Sequence, residues 1–184
     1  MTKNLTPAVV HPAKVNLPRA IFLYGLAGSG KSYCGELFAA RFGYRSYDLD
    51  QHITDAMRMA IREGRSFTDE IRDEFFHRLR DVLGALLKSE PKLIVMQGAY
   101  KERHRKLIEG AYPEIEFVRV TAPLEDISRR LSRRGDSVGS DYAASIARNF
   151  EPSLSDHEFS NDGAGDDELC ARFAALFEGP RGPG

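Results

Sequence analysis

The octapeptide Gly25-Leu-Ala-Gly-Ser-Gly-Lys-Ser32 constrains this chain more than any other stretch. It matches G-x-x-x-x-G-K-[ST], and its position gives the pattern its meaning. Ahead of it lies Ala20–Tyr24, a short apolar run that reads as a buried strand. Behind it, Lys31–Phe42 places Tyr33, Leu37, Phe38 and Phe42 at helical spacing, with Gly43 as a C-cap. Small residues let the backbone curl so that successive N–H groups and the positive helix end face one anion. Lys31 is expected to reach the β- and γ-phosphates of a nucleoside triphosphate, and the Ser32 hydroxyl to ligate Mg2+. Gly25, Leu26, Ala27, Gly28, Ser29, Gly30, Lys31, Ser32 and Tyr33 are therefore the expected ATP-binding residues. The bland alternative is a glycine-rich turn that holds nothing.

The rest of the chain alternates between strand and helix patterns. Strands are expected over Arg45–Leu49, Lys92–Met96 and Glu114–Thr121, with a short edge strand ahead of a turn at Asn161–Gly163. Helices are expected over Asp50–Glu63, Thr68–Lys88, Lys101–Glu109, Pro123–Arg134, Asp141–Asn149 and Asp166–Phe177. Such alternation builds βαβ units, so the expected fold is α/β, with a five-stranded parallel sheet flanked by helices in three layers. Residues 20–178 form the expected domain. Residues 1–19, with Pro7, Pro12 and Pro18, read as a flexible N-terminal arm without a secretory leader, and 179–184 as a flexible tail.

Composition narrows the partners. The 184 residues carry 26 Lys and Arg against 27 Asp and Glu, a net charge of −1, which disfavours nucleic-acid binding through bulk charge. The apolar runs are too short to span a membrane. Cys34 and Cys170 lie far apart and form no CxxC pair, so a reducing, cytoplasmic setting is expected, with Cys34 a packing residue. A monomer or homodimer is the expected state.

Asp48 and Asp50 close the second strand, and in an open parallel sheet that end lies beside the phosphate loop. One carboxylate near Mg2+ and one near an acceptor hydroxyl is what phosphoryl transfer uses. Asp48 is assigned to the metal side, and Asp50 is expected to orient the acceptor hydroxyl and take its proton. The alternative for Asp50 is a helix N-cap.

With these residues the chain resembles the small P-loop kinases of the gluconokinase and shikimate kinase group, over roughly Ala20 to Glu151. GLAGSGKS followed by Asp-x-Asp is common to both, and DLDQHI looks close to shikimate kinase. Three segments lean toward gluconokinase: Gly64-Arg-Ser-Phe-Thr-Asp-Glu-Ile-Arg72, Ala99-Tyr-Lys-Glu-Arg-His-Arg105 and Asn149-Phe-Glu151. The resemblance implies an ATP- and Mg2+-dependent kinase with a mobile lid, placed at about 133–142, and a small-molecule hydroxyl as acceptor. Gluconate is the first candidate; shikimate or another metabolite or antibiotic hydroxyl is the alternative.

Arg72 is a candidate to grip an anionic acceptor, because a guanidinium pairs bidentately with a carboxylate; a surface ion pair with Asp69 or Asp73 is its other reading. Lys101 and Arg105, at the start of a helix past the third strand, are expected at the substrate edge. Among Arg129, Arg130, Arg133 and Arg134, Arg134 is assigned to the transferring phosphoryl group and Arg130 to the adenine or α-phosphate side. Two further readings are a non-catalytic nucleotide-binding module and a guanine-nucleotide switch. The switch needs an Asn-Lys-x-Asp loop, which this sequence lacks.

Overall fold

The computed structural model describes residues 16–134, 147–153 and 156–178, with Arg134 described in its backbone alone. Most of the expected arm and lid, the start of the helix expected from Asp141, and the tail from 179 lie outside the described residues. The elements are β1 Ala20–Tyr24, α1 Lys31–Phe42, β2 Arg45–Asp48, a 3-10 turn Leu49–His52, α2 Asp55–Arg62, α3 Asp69–Ser89 and β3 Leu93–Met96. Then come α4 Glu102–Ala111, β4 Ile115–Thr121, α5 Leu124–Arg134, β5 His157–Ser160 and α6 Asp166–Ala175.

The five strands order as β2-β3-β1-β4-β5 and pair in parallel throughout. The chain leaves β1 for the β2–β3 side, then crosses to β4 and β5, so the direction of winding reverses around β1. In such sheets ligands bind at the carboxyl ends beside that reversal.

Parallel strands are covered on both faces and so read as continuous apolar runs. All five residues of β1 are buried. Phe22 and Tyr24 face one core with Phe75, Leu79 and Leu83 of α3, while Ile21 and Leu23 face another with Phe38 of α1 and Phe173 of α6. Phe38 stacks on Phe173 with ring centroids 3.9 Å apart and meets the edge of Phe159 at 5.2 Å. Helix α1 can lie this close to the sheet because of Gly35. A Cβ there would stand 2.5 Å from the Met96 sulfur.

The expected helix over Asp50–Glu63 is broken in two, and the expected second strand stops at Asp48. The cause is local hydrogen bonding by short polar side chains, which competes with the helix ladder. The Asp48 carboxylate accepts the Asp50 N–H at 2.9 Å and caps a single 3-10 turn. Ile53 then turns extended (ψ 137°), and the Thr54 hydroxyl caps α2 by accepting the Met57 N–H at 3.2 Å. Cys34 is fully buried, which pushes its thiol pKa up to about 12 and suits a packing role.

Phe38→Ala is expected to lower stability by about 3–5 kcal/mol, because Phe159 and Phe173 lose a shared ring partner and a cavity opens between helix and sheet. Urea denaturation checks this, and a loss below about 1 kcal/mol would contradict the packing described.

Candidate active site

The phosphate loop takes the backbone shape its glycines permit. Gly30 caps α1 in the left-handed region (φ 92°) without a side-chain cap, and a Cβ there would stand 2.0 Å from Asn161 Nδ2. Gly25 (φ 147°) is equally confined, with Val120 O 2.3 Å from the position of a Cβ. Lys31 Nζ donates to Gly25 O at 3.0 Å and Leu26 O at 2.9 Å, so its charge stays inside the loop's curve. Ser29 is buried, and its hydroxyl has no hydrogen-bond partner among the described residues. A tight cradle of backbone donors, a cation folded within it and an orphaned hydroxyl fit a polyphosphate.

The loop is braced from behind. Asn161, buried at the end of β5, donates from Nδ2 to Ser29 O at 3.0 Å. Arg130 Nη1 donates to Gly28 O at 3.1 Å and to Ser29 O at 3.3 Å. Arg130, assigned to the adenine or α-phosphate side, reaches the loop, where its guanidinium is engaged with loop carbonyls. Asn161 escaped the sequence reading, whose only signal was a polar residue where an edge strand ends.

Sheet register sets the other wall. Asp48 pairs with Met96, and Met96 with Leu23, so three strand ends stand level. The Gln97 N–H extends the ladder to Leu23 O at 3.1 Å. Asp48, Asp50 and Gln97 thus project from the edge that launches the phosphate loop. The Asp50 carboxyl keeps an exposed surface but lies deep among neighbouring atoms. That burial, and then the Asp48 charge, raises its pKa above the usual carboxylate range, while the Gln97 hydrogen bond and the Lys31 charge oppose the rise. The capping role weighed for Asp50 belongs to Asp48 instead. A carboxylate offers about four lone-pair positions, so the capping bond leaves Asp48 acceptor capacity. No cluster of three His, Cys, Asp or Glu side chains fit to hold a metal occurs among the described residues. Ser32 and Asp48 nevertheless suit Mg2+, which retains waters and takes phosphate oxygens as ligands.

The remaining candidates divide. The Arg72 guanidinium packs against the rings of Phe67 and Tyr100, 5.5 and 5.2 Å from their centroids, and donates to Phe67 O. Asp69 and Asp73 pair with Arg103 instead, at 3.3 and 2.9 Å. Lys101 is held by Glu151 at 2.8 Å. Arg105 departs from the substrate-edge expectation. It is buried, donates to Ala99 O at 2.8 Å and Glu151 O at 2.5 Å, and covers the Tyr24 ring at 4.6 Å. Its donors serve the chain itself, because the segment at Glu151 folds back against the start of α4. Tyr33 is half exposed, and its hydroxyl donates to Asp166 on α6. The Arg134 side chain lies outside the described residues.

Residues 27–151, more than half of the chain, match the family model described as shikimate kinase. The chain belongs to the shikimate kinase family. Among curated relatives, this shikimate kinase family member is 28% identical over 91 residues to a probable gluconokinase of Rattus norvegicus, covering 50% of this chain and 49% of that protein. It is 30% identical over 120 residues to a shikimate kinase of Chloroherpeton thalassium, covering 65% of this chain and 62% of that protein. The alignments thus span about half to three fifths of those relatives. Among solved structures, a sugar kinase from a Janibacter species superposes with a TM-score of 0.74 at 21% identity, over 87% of this chain and 94% of that one. A gluconokinase of Sinorhizobium meliloti gives 0.72 at 21% identity, over 87% and 91%. The shared fold is the α/β, five-stranded parallel sheet flanked by helices. Membership of a kinase family implies nucleotide use. No helix of the described residues is long and apolar enough to cross a membrane.

Asn161→Ala is expected to cost about 1 kcal/mol of stability and to weaken ATP binding measured by calorimetry; unchanged affinity would remove Asn161 from the loop's support. A second prediction concerns His104, buried on α4 with Nε2 2.7 Å from Asp73 and stacked on Phe76. Burial lowers its pKa despite the opposing pull of Asp73. Unfolding returns the ring to about 6.5, so the unfolded chain binds a proton first as pH falls. The stability owed to the neutral ring is present above about pH 6.5 and lost progressively below it. Melting temperatures of wild type and His104→Gln should therefore diverge least at acidic pH, and parallel curves would contradict the assignment.

Proposed function

We propose that this protein is an ATP-dependent small-molecule kinase that transfers the γ-phosphoryl group to a hydroxyl of a sugar acid, with gluconate the first candidate. The observation that carries the reading is the shared edge: the phosphate loop after β1 and Asp50 after β2 leave the same carboxyl edge of the sheet, with β3 between them. The gluconokinase relatives and the three gluconokinase-like segments support the acceptor class.

In this reading the loop amides and Lys31 grip the β- and γ-phosphates. Ser32 and Asp48 would hold Mg2+, whose charge offsets that of the phosphate oxygens. Asp50 accepts a hydrogen bond from the acceptor hydroxyl, aims its oxygen at the γ-phosphorus and takes its proton as the new bond forms. The bond to the ADP oxygen breaks as ADP leaves. Arg72, packed against the Phe67 and Tyr100 rings with one amine on Phe67 O, uses its remaining donors to meet the acceptor's carboxylate. Lys101 is retained at that edge, and Arg134 is assigned to the transferring group, where an arginine is worth about 10³–10⁵ in rate. Positioning and charge neutralisation supply the catalysis. A reducing cytoplasm and a monomer or homodimer complete the proposal. DLDQHI and the family match support shikimate as a second acceptor.

ADP release measured with Mg·ATP and a panel including gluconate and shikimate tests the reading. Acceptor-stimulated turnover is expected; tight ATP binding with none would mark a non-catalytic module. Lys31→Ala should abolish transfer in a folded protein. Asp50→Asn should cut kcat by about 10²–10⁴ while ATP affinity holds, and loss of stability alone would return Asp50 to a structural role.

A further inference from the structure

We propose that Gln97 is a positioning residue that aims the Asp50 carboxylate at the acceptor through a hydrogen bond from its side-chain amide; the inference rests on the phosphoryl-transfer reading above. Gln97 sits where β3 has ended but its backbone is still tied into the sheet, through the bond to Leu23 O. Two residues on, Ala99 is buried with φ 30°, a conformation that non-glycine residues adopt only when their surroundings hold them. The Ala99 N–H donates to Gln97 Oε1. That bond decides the orientation of the amide, because only the carbonyl oxygen can accept an N–H. Nε2 must then point away from Ala99, and it meets Asp50 Oδ1 at 3.2 Å.

Asp50 is consequently held twice. Its backbone N–H is tied to Asp48 Oδ1 at 2.9 Å, and its side chain is tied to Gln97. With Oδ1 engaged, the second carboxylate oxygen is the one presented to a hydroxyl. A side chain of two methylenes is needed to join the Ala99 turn to Asp50. Beside it, a Cβ on Gly98 would meet nothing within 4 Å, so the approach to this pair is open. A general base held in one rotamer has less orientation left to lose in the transition state.

Two variants separate this role from simple support of the turn. Gln97→Glu keeps an acceptor for the Ala99 N–H but loses the donor to Asp50, whereas Gln97→Met loses both. Both are expected to lower kcat about tenfold or more with the ATP KM unchanged; Gln97→Met does so without adding charge, whereas Gln97→Glu also sets a second carboxylate against Asp50. Wild-type turnover in Gln97→Glu would overturn the proposal and leave Gln97 a support for Ala99. The second measurement does not depend on turnover. Side-chain amide NMR of the full chain should show the Gln97 NH₂ signals move on Asp50→Ala, and signals indifferent to that change would overturn the proposal. A wild type with no acceptor-stimulated turnover would refute the kinase reading, while the amide signals would still decide the hydrogen bond.

Discussion

The parallel register of three strands is the constraint on which this molecule depends. Asp48, Met96 and Leu23 stand level across β2, β3 and β1. A one-residue slip in a strand would turn every side chain to the opposite face and exchange its two cores. The core therefore enforces the register, and the register brings the acidic strand tip to the phosphate loop. Residues buried on both faces of β1 thus act on chemistry that none of them touches.

The edge so formed carries two kinds of support. The loop is braced by Asn161 and Arg130, which satisfy the carbonyls that its curl turns outward. The turn after β3 is braced by Arg105, whose buried charge draws together Ala99 O, Glu151 O and, at 3.7 Å, Asp156. Tyr24 donates to Asp156 at 2.7 Å, and burial with that bond raises its pKa far above the usual phenol range. Glu151 also accepts from Lys101 and from the Glu102 N–H, capping α4 from the segment that follows the expected lid. A buried cation with several hydrogen bonds costs far more to disrupt by halves than to leave whole.

Legibility in the sequence follows the range of the interaction. The loop, β1, α1 and β3 are written in local patterns, glycines and apolar runs, and the structure repeats them nearly residue for residue. The break at Ile53 was hidden because Asp48 and Thr54 compete with the helix through side-chain bonds that periodicity does not register. Arg105 is expected at the substrate edge from its charge and its place just past a strand end; its burial depends on Glu151 and Asp156, far along the chain. Asn161 and Gln97 were missed for the same reason. Each acts by reaching a backbone or carboxylate that only the folded sheet brings near.

A crystal structure with a non-hydrolysable ATP analogue and gluconate tests the central claim most directly. The account predicts phosphates seated on the amides of Gly28 to Ser32, and one acceptor oxygen at ~3–3.5 Å from the terminal phosphorus and hydrogen-bonded to Asp50. Phosphates bound elsewhere, or an Asp50 carboxylate turned away from a properly seated γ-phosphate, would contradict it.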